Sequence, residues 1–263
     1  MTLEGGAGPD FVSVTELSND TVTREQVERM CHRYYWAGNY CRGRDTVEAG
    51  CGTGQGAGYL ASLAKSYQAG DYSEEILAIA RAHYGERIGF LRFDAQYMPF
   101  PDRSLDVVVL FEALYYVPSA DRFTAECRRV LRPGGMVLVA TANKDLFDFN
   151  PSPFSTVYHG VREIDELFGR HGFDIDLFGY MPVEGLSLRQ TVLRPIKKFV
   201  VSSGLMPRTM AGKKLLKRLV FGSLVPLPPE IAEGMIPYTP PIPIAKGQAD
   251  ARHKVIYCVA TVR

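Results

Sequence analysis

The chain has 263 residues, 46% of them hydrophobic and 22% charged, with a formal net charge of +1. That is enough apolar material for one large folded domain with an appendage, and the composition excludes a disordered or collagen-like chain. The near-zero charge argues against a whole-protein nucleic-acid binder while leaving room for local basic patches. The cysteines are Cys31, Cys41, Cys51, Cys127 and Cys258. Their odd number and the lack of any CxxC pair predict reduced thiols and a cytoplasmic location. The opening MTLEGGAGPD lacks the basic and apolar regions of a signal peptide, and no run of about 18 apolar residues predicts a membrane-crossing helix.

In chain order, residues 1–20 read as a polar, Gly-rich arm. The stretch from Val22 to about Tyr40 predicts a helix with Thr23 as N-cap and Gln26 completing a capping box. Arg33 to Gly38 (RYYWAG) sits on it, either closing over a ligand or packing on a sheet. The pattern then changes period. DTVEAG predicts a strand and GYLASLAKSY a helix; SYQAGD ends a second strand. SEEILAIARAHYG predicts a helix capped by Ser73 and stopped by Gly85. IGFLRFDA is a third strand, and LDVVVLFEAL opens with the continuous apolar run of a strand buried on both faces. DRFTAECRRVL predicts a helix stopped at Pro133-Gly134-Gly135. MVLVATAN, VREIDELFGRHGF and DIDLFGY follow as strand, helix and strand. This alternation predicts an α/β fold with a parallel sheet and helices on both faces.

The alternation stops after Tyr180. Residues 183–251 show no βα unit, and HKVIYCVATVR then supplies a last, β-branched strand. Residues 185–229 hold nine Lys or Arg and no Asp or Glu: Arg189, Arg194, Lys197, Lys198, Arg208, Lys213, Lys214, Lys217 and Arg218. KKLLKRLV fits a basic amphipathic helix. It suits a solvated face docked by its leucines, or a contact of residues 189–218 with an anionic bilayer or phosphate-bearing acceptor. PLPPE and IPYTPPIPI read as extended strapping.

The chemistry centres on VEAGCGTGQGAGYL, where five glycines fall between Gly50 and Gly58. A phosphate-binding P-loop needs Lys and then Ser or Thr after its last glycine; Tyr59 and Leu60 stand here instead. Gly52-x-Gly54-x-x-Ala57 fits a dinucleotide fingerprint, with Asp71 about 20 residues on to hold a ribose. Glu48, however, lies just before the loop at the strand's carboxyl end. Its charge would repel a pyrophosphate by about 1–4 kcal/mol, depending on local dielectric. Asp94, after the third strand, adds a second acceptor at the same sheet edge, fit for an adenine amino group.

ExGCGTG, then GDYS, then FDAQxxPFPDxSLDVV, then VLRPGG resembles, in order and spacing, the class I S-adenosylmethionine-dependent methyltransferases of the type 11 or UbiE-like branch. The resemblance covers about residues 40–180 and the last strand. It implies a Rossmann-like, seven-stranded, mostly parallel sheet with an antiparallel last strand and an insertion before that strand, which would form a lid over the acceptor site. The organisation expected is an arm and helix over 1–40, a methyltransferase core over 41–182, an insertion over 183–251 and the final core strand over 252–263. The cofactor implied is S-adenosylmethionine. Glu48 would face its amino group, and Gly50, Cys51, Gly52 and Gly54 would line its methionine part. Asp71 would accept the ribose hydroxyls, with Tyr72 beside adenine. Asp94 and the Ala95 backbone would meet the adenine edge, and Phe111 would border the methionine.

For a catalytic base the candidates are His159, on the loop after the fifth sheet strand, and Glu112, which follows Phe111 and equally suits a helix cap. Tyr115, Tyr116 and Tyr158 suit pocket walls. The Asn-Pro-Pro-Tyr signature of nucleic-acid amino methylases is absent after the fourth strand, where FEALYY stands. The expected acceptor is therefore a hydroxyl on a small molecule, sugar or lipid. Carbon or nitrogen of a quinone or other metabolite stays open, as do an NAD(P)-dependent oxidoreductase and a non-catalytic nucleoside-binding module.

Overall fold

The structure is a computed structural model that describes residues 15, 17, 20–152, 154–183 and 224–263. The nine basic residues singled out between Arg189 and Arg218 lie outside the described residues.

A helix, α1, spans Arg24–Cys41. The Thr23 hydroxyl accepts from the Gln26 amide at 3.2 Å and the Gln26 side chain accepts from the Thr23 amide at 3.0 Å, which satisfies two otherwise orphaned donors as the sequence predicts. Just before α1, strand β1 (Thr21–Thr23) pairs antiparallel with β8 (Leu224–Pro226). That two-stranded ribbon has no periodic signature of its own, since three residues are too few to show alternation.

The main sheet contains β2 (Asp45–Ala49), β3 (Ser66–Asp71), β4 (Phe90–Arg92), β5 (Leu105–Phe111), β6 (Leu131–Ala142), β7 (Phe173–Pro182), β9 (Ile242–Pro243) and β10 (His253–Val262), in the order β4-β3-β2-β5-β6-β10-β7-β9. Strands β4 to β6 in that order run parallel, and β10 is antiparallel to both β6 and β7. The sheet thus has eight strands where seven were expected. The extra one, β9, comes from the Pro-rich strapping and pairs antiparallel with β7 through Ile242 and Pro243. Proline is tolerated there because an edge strand has one side free of ladder bonds.

Helices α2 (Ala57–Leu63), α3 (Glu74–Tyr84), α4 (Ala120–Val130) and α5 (Val161–Arg170) complete the core. Ser73 caps α3 and Gly85 ends it, as read from the sequence. Helix α4 ends at Val130, before Pro133-Gly134-Gly135, and leads straight into β6, where those residues form an irregularity in the pairing with β5. Strand β5 explains why its sequence is apolar without alternation. Val108 and Leu110 pack with Phe123 of α4 and Phe168 of α5; Val107, Val109 and Phe111 pack with Trp36 of α1 and Leu60 of α2. Fully burying each such side chain stabilises the fold by about 1.5–3 kcal/mol.

From β2 the chain steps outward to β3 and β4, then returns to the other side of β2 as β5. The strand order therefore reverses at β2, and a crevice opens at the carboxyl ends there, the usual place for a ligand in such a sheet. Among the described residues no helix is long and apolar enough to cross a membrane.

Candidate active site

A cavity of about 540 Å³ occupies that crevice, walled by the glycine loop, the ends of β3 and β5, the loop after β6 and one face of α1. Gly50, Cys51, Asp71, Tyr72, Asp94, Ala95, Phe111 and Glu112 all line it, so the structure brings these eight predicted residues together. Gly52 lines it too, at φ +58°, a left-handed conformation costly for any other side chain but Asn or Asp. This turns the Gly52 N–H toward Asp71, whose Oδ2 accepts it at 3.0 Å, while Oδ1 accepts from the Ser73 amide at 3.0 Å. Loss of solvent raises the Asp71 pKa, and its backbone amide donors partly offset the rise. At the end of β4, the Asp94 carboxylate accepts from the Gln96 amide at 2.8 Å and the Gln96 side chain at 3.1 Å, which fixes its orientation.

Three predicted residues stand elsewhere. Gly54 does not line the cavity; its carbonyl accepts from the Tyr84 hydroxyl at 2.7 Å, which ties the loop to α3. Glu48 is 1% exposed and sits behind the loop. One oxygen accepts from the Tyr34 hydroxyl at 2.6 Å and the other from the Tyr67 hydroxyl. Burial pushes its pKa up to about 7, against the lowering effect of both hydroxyls. It does not line the cavity, so any influence on a cofactor amino group from this position passes through backbone or water. His159 does not line the cavity either. Its Nδ1 is buried without a hydrogen-bond partner, and burial lowers the ring's pKa. A general base must come within hydrogen-bond reach of its proton, and His159 does not border the cavity from this position. The loop that carries it does roof the pocket, but through Ser152, Phe154 and Thr156.

Glu112 is held from three sides. Its amide donates to the Ala140 carbonyl at 2.8 Å, Arg29 Nη2 donates to Oε1 at 3.0 Å, and the Tyr115 hydroxyl donates to Oε2 at 3.2 Å. Its φ is +49°, unfavourable for a non-glycine residue and a mark of a position held by its surroundings. Arg29 was not among the predicted site residues. The signal was present: Gln26, Arg29, Met30 and Arg33 recur at helical spacing on α1 and all line the cavity.

A Rossmann-like sheet with a glycine-loop cavity and acids at successive strand ends defines a nucleoside-binding α/β enzyme. Residues 47–139 match the family model described as a methyltransferase domain. The chain is 38% identical to a probable S-adenosylmethionine-dependent methyltransferase of Mycolicibacterium smegmatis over 61% of this chain and 61% of that one. It is 40% identical to a fatty-acid O-methyltransferase of the same organism over 38% of each chain. The alignment to the first relative thus spans about three fifths of that relative's length. The fold matches the crystal structure of a methyltransferase from Archaeoglobus fulgidus with TM-score 0.57, at 14% identity over 89% of this chain and 94% of that one. The domain match, the partial relatives and the shared fold support a class I S-adenosylmethionine-dependent methyltransferase, an enzyme with S-adenosylmethionine as cofactor.

Proposed function

We propose that the protein transfers a methyl group from S-adenosylmethionine to an oxygen of a small-molecule, sugar-linked or lipid-linked acceptor. The observation that carries the reading is the Asp71 carboxylate, fixed by the Gly52 amide at the lip of the glycine-loop cavity. An acid there suits the ribose hydroxyls of a nucleoside ligand. The partial similarity to a fatty-acid O-methyltransferase supports oxygen and a lipid-like acceptor.

The cavity residues fit the cofactor. Asp71 would hold the ribose, Asp94 and the Ala95 backbone the adenine edge, and Tyr72 the adenine face. Gly50, Cys51 and Gly52 would border the methionine part with Phe111. Glu48 would act from behind, holding Tyr34 and so the pitch of α1 over the loop. Bound there, S-adenosylmethionine supplies a methyl group already activated by its positive sulfur. The protein's task is then to align the acceptor and exclude water, worth up to about 7–11 kcal/mol when alignment is good. Glu112 holds Arg29 and Tyr115 around the acceptor end. The basic segment 185–229 would bring the protein to an anionic surface that carries a lipid-linked acceptor.

Incubation with methyl-labelled S-adenosylmethionine and a panel of hydroxylated, acidic and amine acceptors tests the reading. Label on an oxygen acceptor, with S-adenosylhomocysteine as co-product, is the expected result. Label confined to carbon or nitrogen would overturn oxygen transfer, and absence of the co-product with every acceptor would overturn methyl transfer.

A further inference from the structure

Moving a methyl group to a hydroxyl requires a base for the departing proton, and general-base help is worth about 10²–10⁴-fold. Among the described residues, no histidine or lysine lines the cavity, and its carboxylates are Asp71, Asp94 and Glu112. Asp71 and Asp94 stand at the β3 and β4 ends, on the proposed nucleoside side. Glu112 is neutralised by Arg29 at 3.0 Å and takes the Tyr115 hydroxyl on its other oxygen. The acceptor end is therefore poor in bases and rich in donors.

Arg29 adds a second observation. Arg29 lines the cavity, its Nη2 donates to Glu112, and its Nε is buried without any hydrogen-bond partner in the protein. Leaving a donor buried and unsatisfied costs about 1–3 kcal/mol, more for a charged group, and a ligand acceptor removes that cost. A guanidinium presents its donors as a planar fork that matches a carboxylate. Helix α1 brings Arg33 to the same wall one turn on. Around these charges the wall is apolar, with Met30, Leu110, Val117 and Phe154; Phe154 is 52% exposed and so reaches the outside.

We infer that the acceptor is an organic acid with an apolar body, held by Arg29, whose carboxylate oxygen takes the methyl group to give a methyl ester. The inference rests on the reading above that this cavity holds S-adenosylmethionine. The carboxylate oxygen forms the new carbon–oxygen bond as the carbon–sulfur bond breaks, and the electron pair leaves with sulfur. A carboxylic acid is already ionised at neutral pH, so no proton is released and no base is needed. Glu112 then acts as a positioning residue for Arg29.

The test gives the full chain methyl-labelled S-adenosylmethionine with straight-chain acids from butanoate to hexadecanoate, and with dodecanol and dodecylamine. Binding of S-adenosylhomocysteine is measured alongside by calorimetry. Label on the acids, released by mild alkali as expected of an ester, with the alcohol and amine unlabelled, is the expected result. Label on the alcohol or amine with the acids inert, or no labelled acid while S-adenosylhomocysteine binds, overturns the inference and leaves the cofactor reading standing. Failure of S-adenosylhomocysteine to bind removes the cofactor reading and this inference with it. In Arg29→Gln the KM for the acid should rise on the order of tenfold to a hundredfold, as for loss of a charged hydrogen bond, with S-adenosylhomocysteine affinity kept. Arg29→Lys should restore part of the loss. An unchanged acid KM, or a loss of S-adenosylhomocysteine affinity in its place, would show that Arg29 does not hold the acceptor.

Discussion

Two acids at neighbouring strand ends take different parts because of what surrounds them. Asp71 keeps a place on the cavity wall with backbone donors at its back. Glu48 is closed off by Tyr34 and Tyr67, and burial lifts its pKa to about 7. The folded state therefore holds a proton that the unfolded chain, with an ordinary glutamate near 4.5, releases. Stability from this group should fall as pH rises from about 4.5 through about 7 and then level off, a change of a few kcal/mol by linkage. Glu48→Gln should flatten that slope in urea unfolding measured across the same window; an unchanged slope would mean that Glu48 ionises normally in the fold. Glu48 was legible in ExGCGTG as an acid at the carboxyl end of a strand, but its partners were not. The two hydroxyls come from 14 residues upstream and 19 downstream, and only packing brings them together.

At the level of elements, α1 decides the shape of the cavity. It meets the glycine loop where Gly56 faces Tyr34: a Cβ added at Gly56 would lie 1.9 Å from the Tyr34 ring. A ring cannot swing aside as a flexible chain end does. Gly56→Ala should therefore cost about 1–3 kcal/mol of stability, read as a lower midpoint in thermal or denaturant unfolding, and should weaken S-adenosylhomocysteine binding through the displaced helix. Glu112→Gln tests the other contact of α1. It should leave S-adenosylhomocysteine binding intact and lower kcat by about tenfold to a hundredfold, the scale of a misplaced acceptor. The capping box of α1 and the Ser73 and Gly85 limits of α3 were readable because each is a local pattern within a few residues. The place of His159 was not, because the loop from Lys144 to Gly160 has no period to fix its side chains. That loop is fixed by contacts such as Thr156 with the Tyr115 carbonyl and Tyr158 stacked on Tyr115 at 4.2 Å.

Across the whole molecule, alternation of strand and helix was enough to expect the parallel sheet, and motif order enough to expect where it binds a nucleoside. The extra edge strand β9 and the β1–β8 ribbon escaped because each is two or three residues long and contains or adjoins proline. The basic segment with nine Lys or Arg gives the molecule a charge asymmetry that its net +1 conceals. Cosedimentation should show binding to anionic liposomes that high salt reverses, and no binding to neutral ones; no binding to anionic liposomes at low salt would remove the surface role. The central claim is that the crevice at β2 holds S-adenosylmethionine through Asp71. Its most direct test is calorimetric titration of the protein and of Asp71→Ala with S-adenosylhomocysteine, with NADH as control. One S-adenosylhomocysteine site per chain, weakened more than tenfold in Asp71→Ala, with no NADH binding, is the expected result. Binding of NADH alone, or an affinity for S-adenosylhomocysteine that the substitution leaves unchanged, would contradict it.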